Sequence, residues 1–273
     1  NHFWGEEMLT TLRLENFRGF NKHEMSLNDL TVIVGQNNAG KSTIVEALHL
    51  LAVVVGRYRR LRYHPVPSWL DIPIKYFGVS PSLKNMEINF DSIFHRYGNP
   101  PATIIASFSD KSSISMYLAG ENKIHAMIRD QEGNVIKSQQ QAYQVILPTI
   151  NILPQVGPVQ RQETILSRDY VKNAMSSSLS PLHFRNQLNV LFDLFPKFQE
   201  IVENTWHGVR VLELVGQGGL LTESLYLHIQ NEDFVAEVAS MGHGLQMWLQ
   251  TMWFLTRSQK VSTVILDEPD VYM

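Results

Sequence analysis

Apolar and polar positions alternate in several short stretches of the chain, which is typical of half-buried β-strands. Residues 12–17 alternate in this way and predict a strand that ends in a turn at Arg18-Gly19-Phe20. Residues 30–34 are apolar on both faces and predict a second, buried strand. Residues 43–55 carry apolar side chains at helical spacing. The predicted order is therefore strand, loop and helix.

The pattern changes between residues 56 and 141. Short alternating runs separated by turn residues predict an antiparallel β-lobe inserted after the first helix. Its predicted strands are 86–90, 103–108, 113–118, 123–129 and 134–137.

Beyond the β-lobe, an apolar strand is predicted over 143–153. Helical spacing over 161–176 and 181–205 predicts a helical lobe within residues 160–206. The remaining predicted elements are strands at 209–215, 224–229, 234–238 and 261–266, and a helix at 244–257.

A glycine-containing loop lies between strand 30–34 and the helix that follows. Gly35 and Gly40 let the backbone curl so that its N–H groups face an anion. Lys41 supplies a cation for the β- and γ-phosphates of a nucleotide, and Ser42 offers a hydroxyl to Mg²⁺. This spacing is that of a Walker A motif. The candidate nucleotide-binding residues are Gly35, Gln36, Asn37, Asn38, Ala39, Gly40, Lys41, Ser42 and Thr43.

Two carboxylates follow the last apolar run, at Asp267 and Glu268. Charges at the end of a buried strand are costly unless they meet a cation or water. Asp267 is therefore a candidate ligand for Mg²⁺. Glu268 is a candidate general base for an attacking water, a role that contributes about 10²–10⁴ in rate. The run has the form of a Walker B strand.

Ser240, Gly242 and Gly244 open the helix that precedes this strand. A serine and two glycines at a helix N-terminus form a site suited to a γ-phosphate. The same residues are also ordinary helix caps. Their position between the other two motifs favours the phosphate-binding interpretation.

Composition limits the other classes of function. The 273 residues carry 23 basic and 26 acidic side chains, so no overall basic field indicates a polyanionic partner. No cysteine occurs, which excludes Cys-ligated zinc and fits a cytoplasmic location. No apolar run predicts a membrane span. Residues 1–7 are interpreted as a non-native leader before Met8.

These three motifs, in this order, resemble those of ABC-type ATPases. The run from Leu12 to Phe20 and the loop from Asn37 to Ser42 are similar to RecF-like and overcoming-lysogenisation-defect (OLD) ATPases, and residues 152–158 are similar to the OLD-like group. The resemblance implies an α/β P-loop NTPase of the ABC type, with a mixed central sheet, an antiparallel β-lobe (56–141) and a helical lobe (160–206).

The resemblance also implies how the residues act. Ser240, Gly242 and Gly244 of one subunit would close onto ATP held by Lys41 of another, in a homodimer or a higher oligomer. Gln155 would reach Mg²⁺ and the attacking water, with Gln160 as the alternative. Arg18 would approach the nucleotide, the alternative being an exposed turn arginine.

The sequence ends at Met273, where the family continues with a switch histidine, so we expect the ATPase domain (8–273) to lack its C-terminal part. The implied function is ATP-driven control of a DNA-processing or anti-phage nuclease complex. Two alternatives stay open: a RecF-like clamp that binds DNA directly, and a scaffold that binds ATP without turnover. The basic, aromatic stretch 57–63 could bind nucleic acid, although an ordinary solvated loop is the preferred interpretation.

Overall fold

The described residues divide into two units. One holds the described residues up to Ile150 together with Val261–Thr263, and the other holds those from Asn151 to Ser258 and from Val264 to Asp267. A computed structural model describes residues 8–36, 38–73, 75–83, 86, 88–121, 123–153, 155–175, 179–218, 223–258 and 261–267.

The described part of the chain forms thirteen strands and six α-helices. Up to residue 150 they are β1 (Leu9–Phe17), β2 (Phe20–Ser26), α1 (Lys41–Arg57), β3 (His64–Pro65), β4 (Phe77–Gly78), β5 (Ala102–Phe108), β6 (Ser113–Gly120), β7 (Lys123–Arg129) and α2 (Gln139–Gln144). They continue with β8 (Ile150–Leu153), β9 (Glu163–Thr164), α3 (Arg168–Ala174), α4 (Phe184–Val190), α5 (Phe195–Thr205), β10 (Val209–Gly218), β11 (Glu223–Asn231), β12 (Phe234–Glu237), α6 (His243–Arg257) and β13 (Thr263–Leu266).

The first unit is built on a five-stranded antiparallel sheet in the order β2-β1-β5-β6-β7. Leu12 and Leu14 of β1 are fully buried, and Arg13 and Glu15, which alternate with them, are only partly covered. This is the alternation that one buried face requires. The strands of the predicted β-lobe therefore continue the N-terminal hairpin in one sheet.

Helix α1 confirms the helical spacing predicted after the glycine-containing loop. Its buried residues recur every three or four positions, as an amphipathic helix requires. They are Ile44, Ala47, Leu48, Leu50, Leu51, Val54 and Val55.

The second unit packs helices on a smaller antiparallel sheet. Strand β11 pairs with β10, β12 and β9. Helices α4, α5 and α6 supply the apolar side of its core, with Leu188, Phe198 and Trp253 almost fully buried. The rings of Phe198 and Trp253 meet edge to face, with centroids 5.6 Å apart. Strand β13 pairs with β8 in a separate two-stranded sheet.

His125 on β7 is a fully buried titratable group. Its ring centroid is 5.1 Å from that of His64, and neither ring nitrogen has a hydrogen-bond partner within the described part of the chain. Gly78 lies so close that a Cβ there would be 2.7 Å from Nε2. Burial, with a smaller contribution from His64, lowers the pKa of His125 to about 4. The imidazole is therefore neutral at pH 7.

The predicted strand 30–34 does not form. Residues 27–36 are neither helix nor strand, and Leu30, Val32 and Val34 are 83%, 74% and 85% exposed. A strand needs a neighbour for its N–H and C=O groups, and no described strand pairs with this segment. The apolar pattern was therefore no guide to burial here.

Local capping explains a second difference. The predicted strand 143–153 is a strand only over Ile150–Leu153, because α2 occupies its beginning. Ser138 starts that helix by accepting the N–H of Gln141 with its side chain. The predicted helix 161–176 is likewise reduced to α3, since β9 pairs with β11 before it.

Two predicted strands of the β-lobe are also wrong. Among their described residues, neither 86–90 nor 134–137 forms a named strand. The side chain of Asn89 accepts a main-chain N–H two residues ahead at 2.9 Å, and Asp130 accepts the N–H of Asn134 at 2.8 Å. Such side-chain hydrogen bonds stabilise a turn, which takes the place of the main-chain hydrogen bonds between paired strands.

The helices of the described residues include none with both the length and the apolar character that a bilayer span requires.

Candidate functional site

The loop before α1 has the geometry of an anion-binding turn. Gly40 caps the helix with φ 98°, in the left-handed region that glycine adopts without strain. A Cβ at Gly40 would also lie 2.5 Å from Cζ of Phe20. Two independent constraints therefore require glycine at this position. Asn37 lies outside the described residues.

Lys41 lies at the first position of α1, and its ammonium group folds back over the loop. Its Nζ donates to the carbonyl oxygens of Gly35 at 2.6 Å and Gln36 at 3.0 Å. No acidic side chain occupies the first turn of α1, and no side chain caps it. The positive end of a 17-residue helix and one lysine thus meet at the loop. Phosphate oxygens fit this charge distribution, and the exposed Ser42 next in sequence can reach a bound cation.

Arg18 is engaged by a carboxylate on α1. Its Nε and Nη2 donate to the two carboxylate oxygens of Glu46, at 2.9 and 2.5 Å, and Nη1 donates to the carbonyl of Asn89 and to Ser92. Arg18 has a positive φ of 51°. The arginine is therefore a bridge between the β1–β2 turn and α1, so the alternative of a solvated turn arginine is wrong. Its approach to a nucleotide stays a prediction.

In the second unit, the predicted metal ligand Asp267 lies beside Leu153, two residues before the predicted ligand Gln155. The N–H of Asp267 donates to the carbonyl of Leu153 at 3.2 Å, so the end of β13 lies beside the end of β8. Gln155 follows two residues later and is exposed. Glu268, the predicted general base, lies outside the described residues.

The predicted phosphate-binding turn before α6 is open to solvent. Ser240 and Gly242 are exposed, and a Cβ at Gly242 would meet no atom within 4 Å. Gly244 is already in the first turn of α6, a helix of 15 residues. The turn presents main-chain N–H groups at the positive end of this helix, the arrangement that binds anions.

A buried polar network lies behind this turn, and the sequence did not reveal it. Arg185 is fully buried, and its Nε and Nη2 donate to Glu237 Oε1 at 2.8 and 2.5 Å. Its Nη1 donates to the carbonyl of Gln160 at 2.9 Å and lies 3.5 Å from Glu163. The available signal was a single arginine in a helical segment, which does not specify a partner.

The basic stretch 57–63 is not a stacking surface. Tyr58 and Tyr63 are 4% and 9% exposed. The hydroxyl of Tyr58 and a guanidinium nitrogen of Arg59 both donate to the carbonyl of Val145. The tyrosines therefore cannot stack on bases in this arrangement. Three arginines of the stretch remain exposed: Arg57, Arg60 and Arg62.

Within the described ranges, no group of three or more His, Asp or Glu side chains is placed to hold a metal ion.

The loop at Gly40 and Lys41, with its helix and α/β fold, defines a P-loop nucleotide-binding protein. The family model described as "AAA ATPase domain" matches residues 8–153. The chain belongs to that family, and nucleotide binding is a property that this membership implies.

Two solved structures share the fold. The Smc head domain of Pyrococcus furiosus, solved with an extended coiled coil bound to the C-terminal domain of ScpA, has a TM-score of 0.56 at 11% identity, over 98% of this chain and 83% of that one. The recombination mediator protein RecF, solved as RecF-ATPrS, has a TM-score of 0.56 at 13% identity, over 99% and 87%. At these identities the likeness shows the fold alone. A search of curated proteins gave no match.

Proposed function

We propose that the protein binds ATP with Mg²⁺ at the Gly35–Ser42 loop, hydrolyses it, and uses ATP-driven pairing of two copies to control a DNA-processing or anti-phage nuclease complex. The observation that carries the proposal is the Lys41 ammonium folded over a loop that ends at left-handed Gly40. An anion that enters the loop replaces the two carbonyl oxygens that now accept from Lys41.

Each remaining residue has a role suited to its chemistry. Ser42 and Asp267 would hold Mg²⁺ through oxygen, the ligand type that this ion prefers. Gln155 would orient the attacking water, and Glu268 would accept its proton. A bound Mg²⁺ neutralises charge on the phosphate oxygens.

Pairing of two copies is supported by the open turn at Ser240 and Gly242. Its exposed N–H groups offer a second set of donors for a γ-phosphate. A donor set supplied by a partner would make ATP the bond between two subunits. Hydrolysis would then release the partner.

The nuclease context rests on the motif resemblance. RecF is described by its structure as a recombination mediator, and Smc was solved with the partner protein ScpA. The RecF description names ATPrS and the Smc description names a bound partner protein, and the proposal combines an ATP site with control of a partner. The identity of the effector would come from proteins that co-purify with the Glu268→Gln variant in its ATP-bound state.

The decisive experiment replaces Glu268 with Gln, which keeps the side-chain shape and removes the base. We expect kcat to fall by about 10²–10⁴, with an unchanged Kd for ATP and accumulation of ATP-bound dimers in light scattering. Glu232→Gln, an exposed glutamate in the same unit, is the control. Hydrolysis at the wild-type rate by the Glu268→Gln variant would contradict the assignment.

A direct DNA clamp is the second candidate, favoured by the exposed Arg57, Arg60 and Arg62 at the end of α1. Phosphate contacts make binding salt-dependent. For a clamp, Arg60→Ala with Arg62→Ala would weaken DNA binding and lower its salt dependence. Arg59 is unsuitable for this test because its guanidinium binds Val145. Absence of turnover in the wild type, with or without DNA, would indicate the ATP-binding scaffold.

A further inference from the structure

Two glutamines on α6 bind the main chain around the candidate Ser240 site. Gln246 and Gln250 are one helical turn apart and 1% and 4% exposed. Gln246 Oε1 accepts the N–H of Val159 at 2.8 Å, and its Nε2 donates to the carbonyl of Met241 at 2.7 Å and, at 3.3 Å, to that of Ala239. One side-chain amide therefore ties segment 155–160 to turn 238–242.

Gln250 adds a further bond to the same segment. Its Nε2 donates to the carbonyl of Gly157 at 2.8 Å. The segment that follows Gln155 is thus held by α6 at two positions, Gly157 and Val159. A shift of this segment relative to α6 would break both bonds.

The Arg185 network ties the same two pieces of chain from the helical side. Arg185 donates to the carbonyl of Gln160 and to Glu237 Oε1. The other oxygen of Glu237 accepts the N–H of Ala239 at 2.7 Å, which starts the turn that carries Ser240. Glu163 completes the network by accepting the main-chain N–H of Arg185 at 2.9 Å.

We infer that Gln246 and the Arg185–Glu237 pair are positioning residues that hold segment 155–160 and turn 238–242 as one body. This inference rests on the proposed function, in which Gln155 contacts Mg²⁺ and the attacking water and Ser240 contacts a γ-phosphate. Movement of Gln155 then reorients the donors at Ser240 and Gly242, because buried groups that lose these bonds cannot find water. Turnover at one nucleotide is thereby linked to the surface that meets the partner.

A purely structural role would give a different result. If these bonds only stabilised the core, their loss would lower the melting temperature and reduce ATP binding, turnover and pairing in proportion to the folded protein. A positioning role instead lowers kcat and ATP-driven pairing while the Kd for ATP stays the same, since the Lys41 loop belongs to the other unit.

The test is Gln246→Met in the full chain, which keeps the side-chain length and removes the amide. Gln199→Met is the matched control, because Gln199 also donates to main-chain carbonyls, those of Val211 and Leu212 in the same unit. We expect Gln246→Met to lower kcat by about 10², the loss that a displacement of about 1 Å produces, with an unchanged Kd for ATP. Arg185→Lys keeps the charge but loses the fork, and we expect the same pattern.

Hydrogen exchange gives a readout that needs no turnover. We expect Gln246→Met to raise exchange in peptides 155–160 and 238–243 together, and Gln199→Met to raise it in neither. Faster exchange in only one of the two segments, or a kcat no lower than that of Gln199→Met, would overturn the inference. If the wild type neither binds nor hydrolyses ATP while the two segments still exchange together, the proposed function fails and the coupling stands.

Discussion

Acid should destabilise the first unit through His125, because no described residue is placed to stabilise the charge of this buried imidazole. The pKa is 6.5 for an ordinary histidine and about 4 for His125 in the fold. At a pH between these two values, His125 is protonated in the unfolded chain and neutral in the folded chain. Stability is therefore complete above pH 6.5 and is lost progressively as the pH falls towards 4.

The size of the effect follows from the two pKa values. A difference of about 2.5 units corresponds to about 3 kcal/mol when the loss is complete. At pH 5 the unfolded histidine is almost fully protonated and the folded one is mostly neutral. The loss between pH 7 and pH 5 is then about 2 kcal/mol.

The assay is urea unfolding at pH 7 and pH 5 for the wild type and for His125→Leu. The variant removes the titration together with two unpaired buried nitrogens, so its free energy of unfolding should depend less on pH by about 2 kcal/mol. Hydrogen exchange in peptides from residues 113–129 assigns the loss to β6 and β7. His207→Gln, an exposed histidine, should behave as the wild type does. Equal pH dependence in the wild type and His125→Leu would refute the reasoning.

Three further substitutions test local parts of the fold. Gly40→Ala should raise the Kd for ATP by about tenfold or more in a binding titration. The left-handed backbone costs alanine about 1–2 kcal/mol, and Phe20 leaves no room for its Cβ. Wild-type affinity of the variant would contradict this. Arg18→Met should lower the free energy of urea unfolding by about 1–2 kcal/mol, and in combination with Glu46→Gln the losses should not add. Tyr58→Phe should cost about 1–3 kcal/mol in the same assay, since its hydroxyl bonds two main-chain groups at Val145 and Leu147; a loss below the error of the measurement would contradict that assignment.

The sequence predicted well the elements whose periodicity is local. Helices α1 and α6 begin and end within two residues of the bounds 43–55 and 244–257 that the sequence pattern predicts. The left-handed turn before α1 was predicted for the same reason, because its requirements, glycine at Gly40 and a lysine next to it, lie within a few residues. Phosphate binding by this turn stays a prediction. In these segments, the local sequence pattern is enough to predict the local structure.

The structure differs from the sequence prediction where the conformation of a segment depends on residues outside that segment. The segment 30–34 has the composition of a buried strand. Composition alone does not show which strand, if any, pairs with its backbone N–H and C=O groups. The strand predicted at 143 gives way to a helix because Ser138, five residues earlier, caps it. Arg185 and Gln246 look like any polar helix residues in the sequence, since they are distinguished only by partners such as Glu163 and Val159, which lie 22 and 87 positions away.

The contact of Phe20 with Gly40 makes two distant positions of the sequence depend on each other. Among related chains, we expect residue 40 to remain glycine wherever residue 20 is aromatic. A smaller residue at position 20 would remove the clash with a Cβ at position 40. The left-handed backbone would still require glycine there, so we expect position 20 to vary more readily than position 40. The hairpin tip thereby becomes a place where natural variation alters the support of the phosphate loop without changing the loop itself.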